Sequence, residues 1–283
     1  MTEPDAERVG RPHLNRTFLV SFLGAVVRRM GGWMPTAGAI DLMGQCGVDA
    51  TSARTAIFRL KKRDWLVAQA TGGMRGYALT ELAARSLDAG DDVIWHARKP
   101  ADLKAGWCIV HFSVPEAARA RRHQLRAHLA SLGFGNVGTA VWIAPARMLP
   151  AAESAIAELE LERHSAVFVG DHVAGQDLGV LIQEGWDLES IDRRYHEFIA
   201  RFSGLAEDRR GGDSSRPRQA FVTYMSVIDH WRKLPFRDPG LPREVLPPQW
   251  AGHEAVALFE RIVERFEGRA LAYAARYWEP PGD

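Results

Sequence analysis

Cysteine and long apolar segments are both scarce in this chain of 283 residues. Cys46 and Cys108 are its two cysteines, and they form no C-x-x-C pair, so the sequence indicates neither a zinc site nor a disulfide framework. No apolar run approaches the roughly 20 residues that span a bilayer. The start, M-T-E-P-D-A-E-R, lacks the basic and apolar regions of a secretory signal. We therefore expect a cytoplasmic protein with no membrane partner.

An excess of charge of one sign is also lacking. Lysine and arginine together number 36 against 35 acidic residues, which gives a net charge of +1. Any binding to nucleic acid must therefore come from a local patch. The length and a hydrophobic content of 46% predict about two domains with substantial cores.

Motifs for catalysis are missing as well. The sequence contains no H-E-x-x-H, G-x-S-x-G, P-loop or G-x-G-x-x-G pattern. Asp171 and His172 follow a predicted strand, and His111 and His164 lie within plausible folding distance of them. Histidines in such positions are more often satisfied structural residues than bases or ligands. We expect no catalytic residue, no metal and no cofactor.

The most informative segment that is present is a basic helix predicted between Asp49 and Trp65. Its apolar positions, Ala53, Ile57 and Leu60 among them, recur at helical spacing. Such a helix can bury one face and offer the other to phosphates and base edges in a major groove, although a merely solvated surface explains the same pattern. Its cations are Arg54, Arg59, Lys61, Lys62 and Arg63.

The neighbouring segments favour DNA binding. Helices are predicted over 14–30 and 36–44 before the basic helix, and strands over 65–70 and 77–79 after it, with Arg75 at the hairpin tip. Thr80 is expected to cap a further helix that starts at Glu81. Residues 14–98 are thus predicted to form a winged helix-turn-helix domain that follows a disordered N-terminus, 1–13.

The middle and the end of the chain differ in character. Strands and helices alternate over 99–176 in an order that predicts an α+β domain of ferredoxin-like type, a kind of sheet that often pairs with a copy of itself. Residues 177–283 are predicted to be helical, with a mobile linker at 204–217 and a proline-rich stretch at 234–250.

A second basic cluster lies in the helix predicted after Pro115. It could meet DNA or ligand phosphates, or it could be a solvated face with scattered salt bridges, and the sequence does not separate the two. The cluster consists of Arg119, Arg121, Arg122 and Arg126, with His123 between them and His128 after them.

In order along residues 14 to 278, several segments together resemble the PaaX family of bacterial repressors of phenylacetic acid catabolism. The segments are S-A-R-T-A-I-F-R-L-K-K-R-D-W-L, W-C-I-V-H-F-S-V-P-E, L-G-F-G, V-W-I-A-P, W-D-L-E and W-R-K-L-P-F-R-D-P-G-L-P-R-E-V-L-P-P-Q-W.

This resemblance implies a winged helix-turn-helix, a central Cas2-like domain for dimerisation and a C-terminal helical domain. It also implies a homodimer on a double-stranded DNA operator with two inverted half-sites, released by an aryl-CoA thioester, which is phenylacetyl-CoA in the type member. It implies no catalytic role, and the predicted strand Trp107 to Val114 lacks the acidic residue that a metal-dependent nuclease would use there.

Residue roles in DNA binding follow from the basic helix and the hairpin. We expect Ser52, Arg54, Thr55 and Arg59 to face base edges or the flanking backbone, and Lys61, Lys62 and Arg75 to contact phosphates. Phe58 either packs on a thymine methyl group or faces the first helix.

A CoA thioester needs cations for its phosphates and an aromatic pocket for its acyl ring. A patch that combines both is therefore a candidate effector site, although its aromatic residues would equally suit a core at a domain interface. The candidate residues are Trp186, Arg194, Tyr195, His230, Trp231, Arg232, Lys233, Phe236 and Arg237.

Two other functions stay open at this point. One is a nucleic-acid-processing enzyme that uses the Cas2-like domain. The other is a structural or ligand-storage protein whose basic helix is only solvated, and this reading excludes salt-dependent binding to DNA.

Overall fold

The computed structural model describes residues 17–96, 99–207, 216–234, 238 and 240–279. The N-terminal segment 1–13, most of the expected linker, and the candidate effector residues Phe236 and Arg237 lie outside the described residues. The strands are β1 (Trp33–Pro35), β2 (Leu66–Thr71), β3 (Met74–Leu79), β4 (Trp107–Phe112), β5 (Gly135–Gly138), β6 (Val141–Pro145) and β7 (Ser165–Gly170). The α-helices are α1 (Thr17–Phe22), α2 (Thr36–Gln45), α3 (Ala50–Lys62), α4 (Glu81–His96), α5 (Arg119–Ser131), α6 (Leu149–Glu158), α7 (Leu178–Gly185), α8 (Leu188–Glu207), α9 (Pro217–Trp231) and α10 (Gly252–Ala275).

These elements form two compact units. The N-terminal unit contains the described residues of 17–88, 216–229 and 261–279, and the central unit contains those of 89–207 and 230–260. Within the described residues, no helix combines the length and apolar character that crossing a membrane requires.

The N-terminal unit begins with α1, which continues through a π turn and a 3-10 turn. Gly31 then ends this segment in the left-handed conformation, with a φ of 89°. Helix α3 begins where the Asp49 side chain accepts the Ser52 amide hydrogen at 2.9 Å. Ala53, Ile57 and Leu60 are buried, so the apolar positions of α3 face the interior as their spacing predicts.

The hairpin after α3 differs from the prediction at its tip. Gly72 and Gly73 have φ values of 56° and 79°, a pair of positive values that glycine adopts without steric cost. The strands therefore extend to Thr71 and Met74, and Arg75 lies within β3 opposite Ala70. The prediction that Arg75 occupies the tip is wrong, because Gly-Gly closes the turn in two residues.

The sheet has a third strand that the sequence pattern did not reveal. Strand β1 pairs antiparallel with β3, and Met34 lies opposite Tyr77. Three residues are too few to show an alternating pattern, so pairing rather than periodicity defines this strand. After the sheet, Thr80 Oγ1 accepts the Ala83 amide hydrogen at 3.2 Å, which confirms the predicted cap of α4.

Residues from the end of the chain complete the N-terminal unit. Ser21 Oγ donates to Asp229 Oδ1 at 2.8 Å, and the Trp278 indole donates to the Trp33 carbonyl oxygen at 2.8 Å. At Gly38, a Cβ atom would come within 2.5 Å of the Tyr277 carbonyl oxygen, so glycine is required for this close approach. The helices that carry α3 are thus packed by residues more than 200 positions away.

The central unit contains a four-stranded antiparallel sheet with the order β5-β6-β4-β7. With α5 between β4 and β5 and α6 between β6 and β7, this is the ferredoxin-like order that the sequence predicts. Its core joins Cys108, Val110 and Phe112 of β4 to Leu125 and Leu129 of α5. Strand β5 pairs with β6 through a bulge near Asn136 and Gly138.

Trp186 fixes the β5 edge of this sheet. Its indole N–H donates to the Gly133 carbonyl oxygen at 2.8 Å, and its side chain is 6% exposed. A Cβ atom on Gly135 would lie 2.5 Å from the Trp186 ring, so the tryptophan packs directly on the backbone of the strand. This contact explains why glycine occupies position 135.

Gly135→Ala should therefore destabilise the fold by about 1 to 3 kcal/mol, because the added methyl group overpacks the Trp186 contact. Urea denaturation followed by circular dichroism measures this difference. Gly138→Ala is the matched control on the same strand, since its Cβ would meet its nearest neighbour, Val141, at 3.8 Å. Equal free energies of unfolding for the two variants would contradict the role assigned to Trp186.

Candidate nucleic-acid interface

All residues of α3 that are predicted to bind DNA are exposed on its outer face. These side chains share one helix with three buried apolar residues, so the burial of one face fixes the direction of the other. The exposed predicted residues are Ser52, Arg54, Thr55, Arg59, Lys61 and Lys62.

The cations of α3 have no acidic partners in the described part of the chain. No carboxylate oxygen lies within the 4.0 Å of an ion pair from Arg54, Arg59, Lys61, Lys62 or Arg63. The nearby carboxylate of Asp49 is occupied, because hydrogen bonds from Ser52 cap the helix and lower the pKa of that carboxyl. The positive charge of this face is therefore available to an anionic partner.

The basic cluster of α5 is arranged differently. Arg119 and Arg122 lie 3.6 and 3.0 Å from the carboxylate of Glu116, and Arg121 lies 3.3 Å from that of Glu160. The Arg126 guanidinium lies over the Trp142 ring at 6.0 Å. These contacts favour the interpretation of α5 as a solvated face with salt bridges over a role in phosphate binding. The sequence alone did not distinguish the two.

A groove of about 670 Å³ runs along one flank of α3, beside α1 and α2. Ser52, Thr55, Arg59 and Lys62 line it, whereas Arg54 and Lys61 lie outside its lining. The helical period explains the division, since residues three or four apart share a face. The groove also includes two exposed polar residues that the prediction omitted, although their spacing from Thr55 and Arg59 would have revealed them: Thr51 and Arg63.

Phe58 does not face the first helix. Its side chain is 56% exposed, and the Lys62 ammonium nitrogen lies 5.0 Å from the centre of its ring. An exposed phenylalanine on a cationic helix face leaves an apolar surface beside the charges. Of the two roles predicted for Phe58, only the outward one agrees with this geometry.

Two of the candidate effector residues lie in the core of the central unit. Tyr195 and Trp231 are 0% and 1% exposed, with ring centres 6.2 Å apart. The Trp231 ring stacks on Phe259 at 4.4 Å, and Tyr195 meets the Trp250 ring edge to face at 5.7 Å. These contacts make the pair part of a packed aromatic cluster.

A buried carboxylate adjoins this cluster. Tyr195 Oη donates to Asp238 Oδ2, and the Gly240 amide donates to Oδ1, both at 2.8 Å. Burial raises the pKa of Asp238, and these hydrogen bonds together with the Arg147 guanidinium act against that rise. Arg147 Nη2 in turn donates to the Gly240 carbonyl oxygen at 2.9 Å, so the cation is fixed by the backbone beside the carboxylate.

The other described candidates range from Trp186, which is 6% exposed, to Lys233, which is exposed. Trp186 and Lys233 line one groove of about 440 Å³ with Phe134 and Ile191. The His230 ring meets Phe202 edge to face at 5.4 Å. Arg194 and Arg232 are half-buried. The structure thus brings Trp186 and Lys233 together in one groove.

Of the two cysteines, Cys108 is buried and Cys46 is half-buried. Burial raises the pKa of the Cys46 thiol to about 12 and that of Cys108 to about 11. A thiol of so high a pKa is a poor nucleophile and metal ligand at neutral pH. Among the residues described, no cluster of three or more histidine, cysteine or acidic side chains could hold a metal ion.

Comparison with known families accounts for most of the chain. Residues 15–83 match the model described as PaaX-like protein, residues 100–181 the PaaX protein central Cas2-like domain, and residues 186–276 the PaaX-like protein C-terminal domain. The chain belongs to the PaaX family. The resemblance seen in the sequence motifs is therefore confirmed, and so is a Cas2-like central domain.

Similarities of this PaaX family member to individual proteins extend over most of the chain. The chain is 25% identical over 272 residues to Transcriptional repressor PaaX of Escherichia coli (strain K12), covering 95% of this chain and 85% of that protein. Its fold is similar to that of the uncharacterized protein Rv0674 from Mycobacterium tuberculosis, with a TM-score of 0.57 and 18% identity. That match covers 92% of this chain and 99% of the other, so it extends over nearly the whole fold.

Tyr195→Phe should destabilise this PaaX family member by about 1 to 3 kcal/mol, because it leaves the buried Asp238 carboxylate without one of its donors. Chemical denaturation at neutral pH measures the loss. Tyr77→Phe is the control, since the Tyr77 hydroxyl makes no hydrogen bond to the described residues. A Tyr195→Phe variant as stable as the control would contradict a structural role for this hydrogen bond.

Proposed function

We propose that this chain is a transcriptional repressor that binds an operator as a homodimer and leaves it when an aryl-CoA thioester such as phenylacetyl-CoA binds. The observation that carries the proposal is the exposed face of α3, whose cations are unpaired among the described residues. Membership of the PaaX family and similarity to a protein named Transcriptional repressor PaaX support it.

In this proposal residues 14–98 act as a winged helix-turn-helix, with α3 as its recognition helix and the β2–β3 hairpin as its wing. Burial of Ala53, Ile57 and Leu60 supports this role, because it holds α3 by one face and leaves the other free for a major groove. Residues 99–176 are the Cas2-like dimerisation domain, and residues 177–283 are the C-terminal helical domain.

Roles along α3 divide by position. Ser52, Arg54, Thr55 and Arg59 read base edges or the backbone beside them, with arginine donating to guanine through two hydrogen bonds. Lys61 and Lys62 contact phosphates, as does Arg75, which is exposed on β3. Thr51 and Arg63 extend this set, because they line the same groove as Thr55 and Arg59.

Release requires that the effector binds one state of the dimer better than the other. A ligand with equal affinity for both states would shift nothing, however tightly it bound. Trp186 and Lys233 supply an aromatic ring and a cation within one groove, which suits an aryl thioester with phosphate groups. The chain acts in this scheme as a regulator and carries out no chemical reaction.

Arg54→Ala should reduce discrimination between operator and random DNA by about 1 to 3 kcal/mol, whereas Lys62→Ala should weaken both similarly and flatten the salt dependence. Fluorescence anisotropy with a labelled upstream DNA fragment at several salt concentrations separates these effects. Arg121→Ala is the control, since its cation is paired with Glu160 in the turn after α6. Equal losses on both DNAs for Arg54→Ala would exclude base reading by that residue.

Phenylacetyl-CoA should release the protein from its own upstream DNA, whereas free phenylacetate and CoA should have much weaker effects, because each supplies only half of the recognised groups. A gel shift titrated with the three compounds measures release. Lys233→Ala should raise the concentration of thioester required, and Lys104→Ala, on an exposed turn outside the lining of that groove, is its control. Unchanged DNA binding with all three compounds would remove this effector from the proposal.

A further inference from the structure

Strand β7 is an open edge of the central sheet. It pairs with β4 on one side, and no described strand pairs with its other side. The Ser113 amide donates to the His164 carbonyl oxygen at 2.8 Å, so His164, and with it Ala166 and Phe168, directs its backbone groups towards β4. The alternate residues, Val167 and Val169, therefore direct their amides and carbonyl groups towards the open side.

The same strand exposes more apolar surface than an edge in water usually does. Phe168 is 59% exposed and Val169 is 52% exposed, and the strand itself carries no charged residue. Proteins usually protect such an edge with charges, prolines or a covering segment. In this strand the nearest charged residues on either side lie outside it, with Arg163 before the strand and Asp171 after it.

We propose that the β7 edges of two copies of this chain pair antiparallel about a two-fold axis, which joins the two central sheets into one continuous sheet of eight strands. The inference rests on the proposed homodimer and names the surface that forms it. The occupant of the edge is a second copy because the sequence around β7 is complementary to itself.

The register follows from this complementarity. A two-fold axis perpendicular to the sheet keeps each side chain on its own face of the sheet. Two residues that lie opposite each other across the axis must therefore both have odd numbers or both have even numbers. With Val167 on the axis, Phe168 lies beside the partner's Ala166, and Val169 lies beside the partner's Ser165. Each large side chain thus meets a small one.

Charges at the ends of the ladder select the same register. With Val167 on the axis, Arg163 is brought to the same end as the partner's Asp171, within reach of the long arginine side chain. Both residues are exposed, and neither has an ion-pair partner in the described part of its own chain. A slip of two residues places Asp171 opposite the partner's Ser165 or the partner's Leu161 and loses both ion pairs.

Charge reversal of the full-length protein tests this arrangement. Arg163→Glu and Asp171→Arg should each weaken the dimer about tenfold, because two attractive pairs become repulsive. An equimolar mixture of the two variants should recover dimers, since in the mixed dimer one ion pair is restored with reversed sign and the other is the unchanged pair of Arg163 and Asp171. Sedimentation equilibrium measures the dissociation constants.

Val167→Pro provides an independent variant. Its amide is directed at the open side, so proline removes a hydrogen bond to the partner and none to β4, as edge strands tolerate. We expect a monomer with an unchanged circular dichroism spectrum. Arg193→Glu, with the same charge change on the exposed surface of α8, is the control and should dimerise like the wild type.

The outcomes separate this inference from the proposed function. Dimers as stable as those of the wild type in Arg163→Glu, Asp171→Arg and Val167→Pro would overturn pairing through β7. Weaker dimers of each charge-reversal variant alone, and recovery of dimers in their mixture, would support it. Specific binding of the wild type to its operator, measured separately, tests the repressor. A wild type that remains monomeric would overturn both the homodimer and its surface.

Discussion

The packing of C-terminal residues on the N-terminal helices is the constraint on which the candidate DNA interface depends. Ser21 and Asp229 are each 4% exposed and share a hydrogen bond of 2.8 Å, so a buried carboxylate oxygen receives a donor from α1. A buried acid without such partners costs several kcal/mol. Tyr273 adds a hydrogen bond to Gln45 at the end of α2. Because α3 packs on α1 and α2, its exposed face is fixed by residues far away in the sequence.

Local charge, rather than total charge, distinguishes the two basic helices. A net charge of +1 gives the whole chain no attraction for a polyanion. On α5 the arginines are matched by Glu116 and Glu160, whereas on α3 the capping acid Asp49 is already occupied by Ser52. Similar counts of cations therefore produce a balanced surface in one helix and an unbalanced one in the other. The difference depends on where the acids fold, which is why the count alone could not decide it.

The buried aromatic residues of the central unit contribute to the stability of the fold. Tyr195 and Trp231 combine ring packing with a hydrogen-bonded carboxylate, Asp238, that burial would otherwise make unfavourable. Such a network favours one arrangement of the surrounding helices, because every displaced partner leaves a polar group unsatisfied. Trp186 lies apart from that network, where it covers Gly135 and lines a groove with Lys233.

Periodicity and local chemistry in the sequence determined the elements of this protein. The apolar spacing of Ala53, Ile57 and Leu60 predicted both α3 and its buried face, and Thr80 predicted the start of α4, because these signals act within one or two helical turns. The alternation of strands and helices likewise predicted the ferredoxin-like sheet.

Tertiary structure decided what local signals do not encode. It ended the hairpin at Gly72 and Gly73 and placed Arg75 inside β3, and it formed β1 by pairing rather than by pattern. It also distributed the candidate site residues, with Arg59 in a groove and Tyr195 in a core. These outcomes depend on contacts between residues distant in the chain, and burial and charge pairing exist only once those contacts have formed.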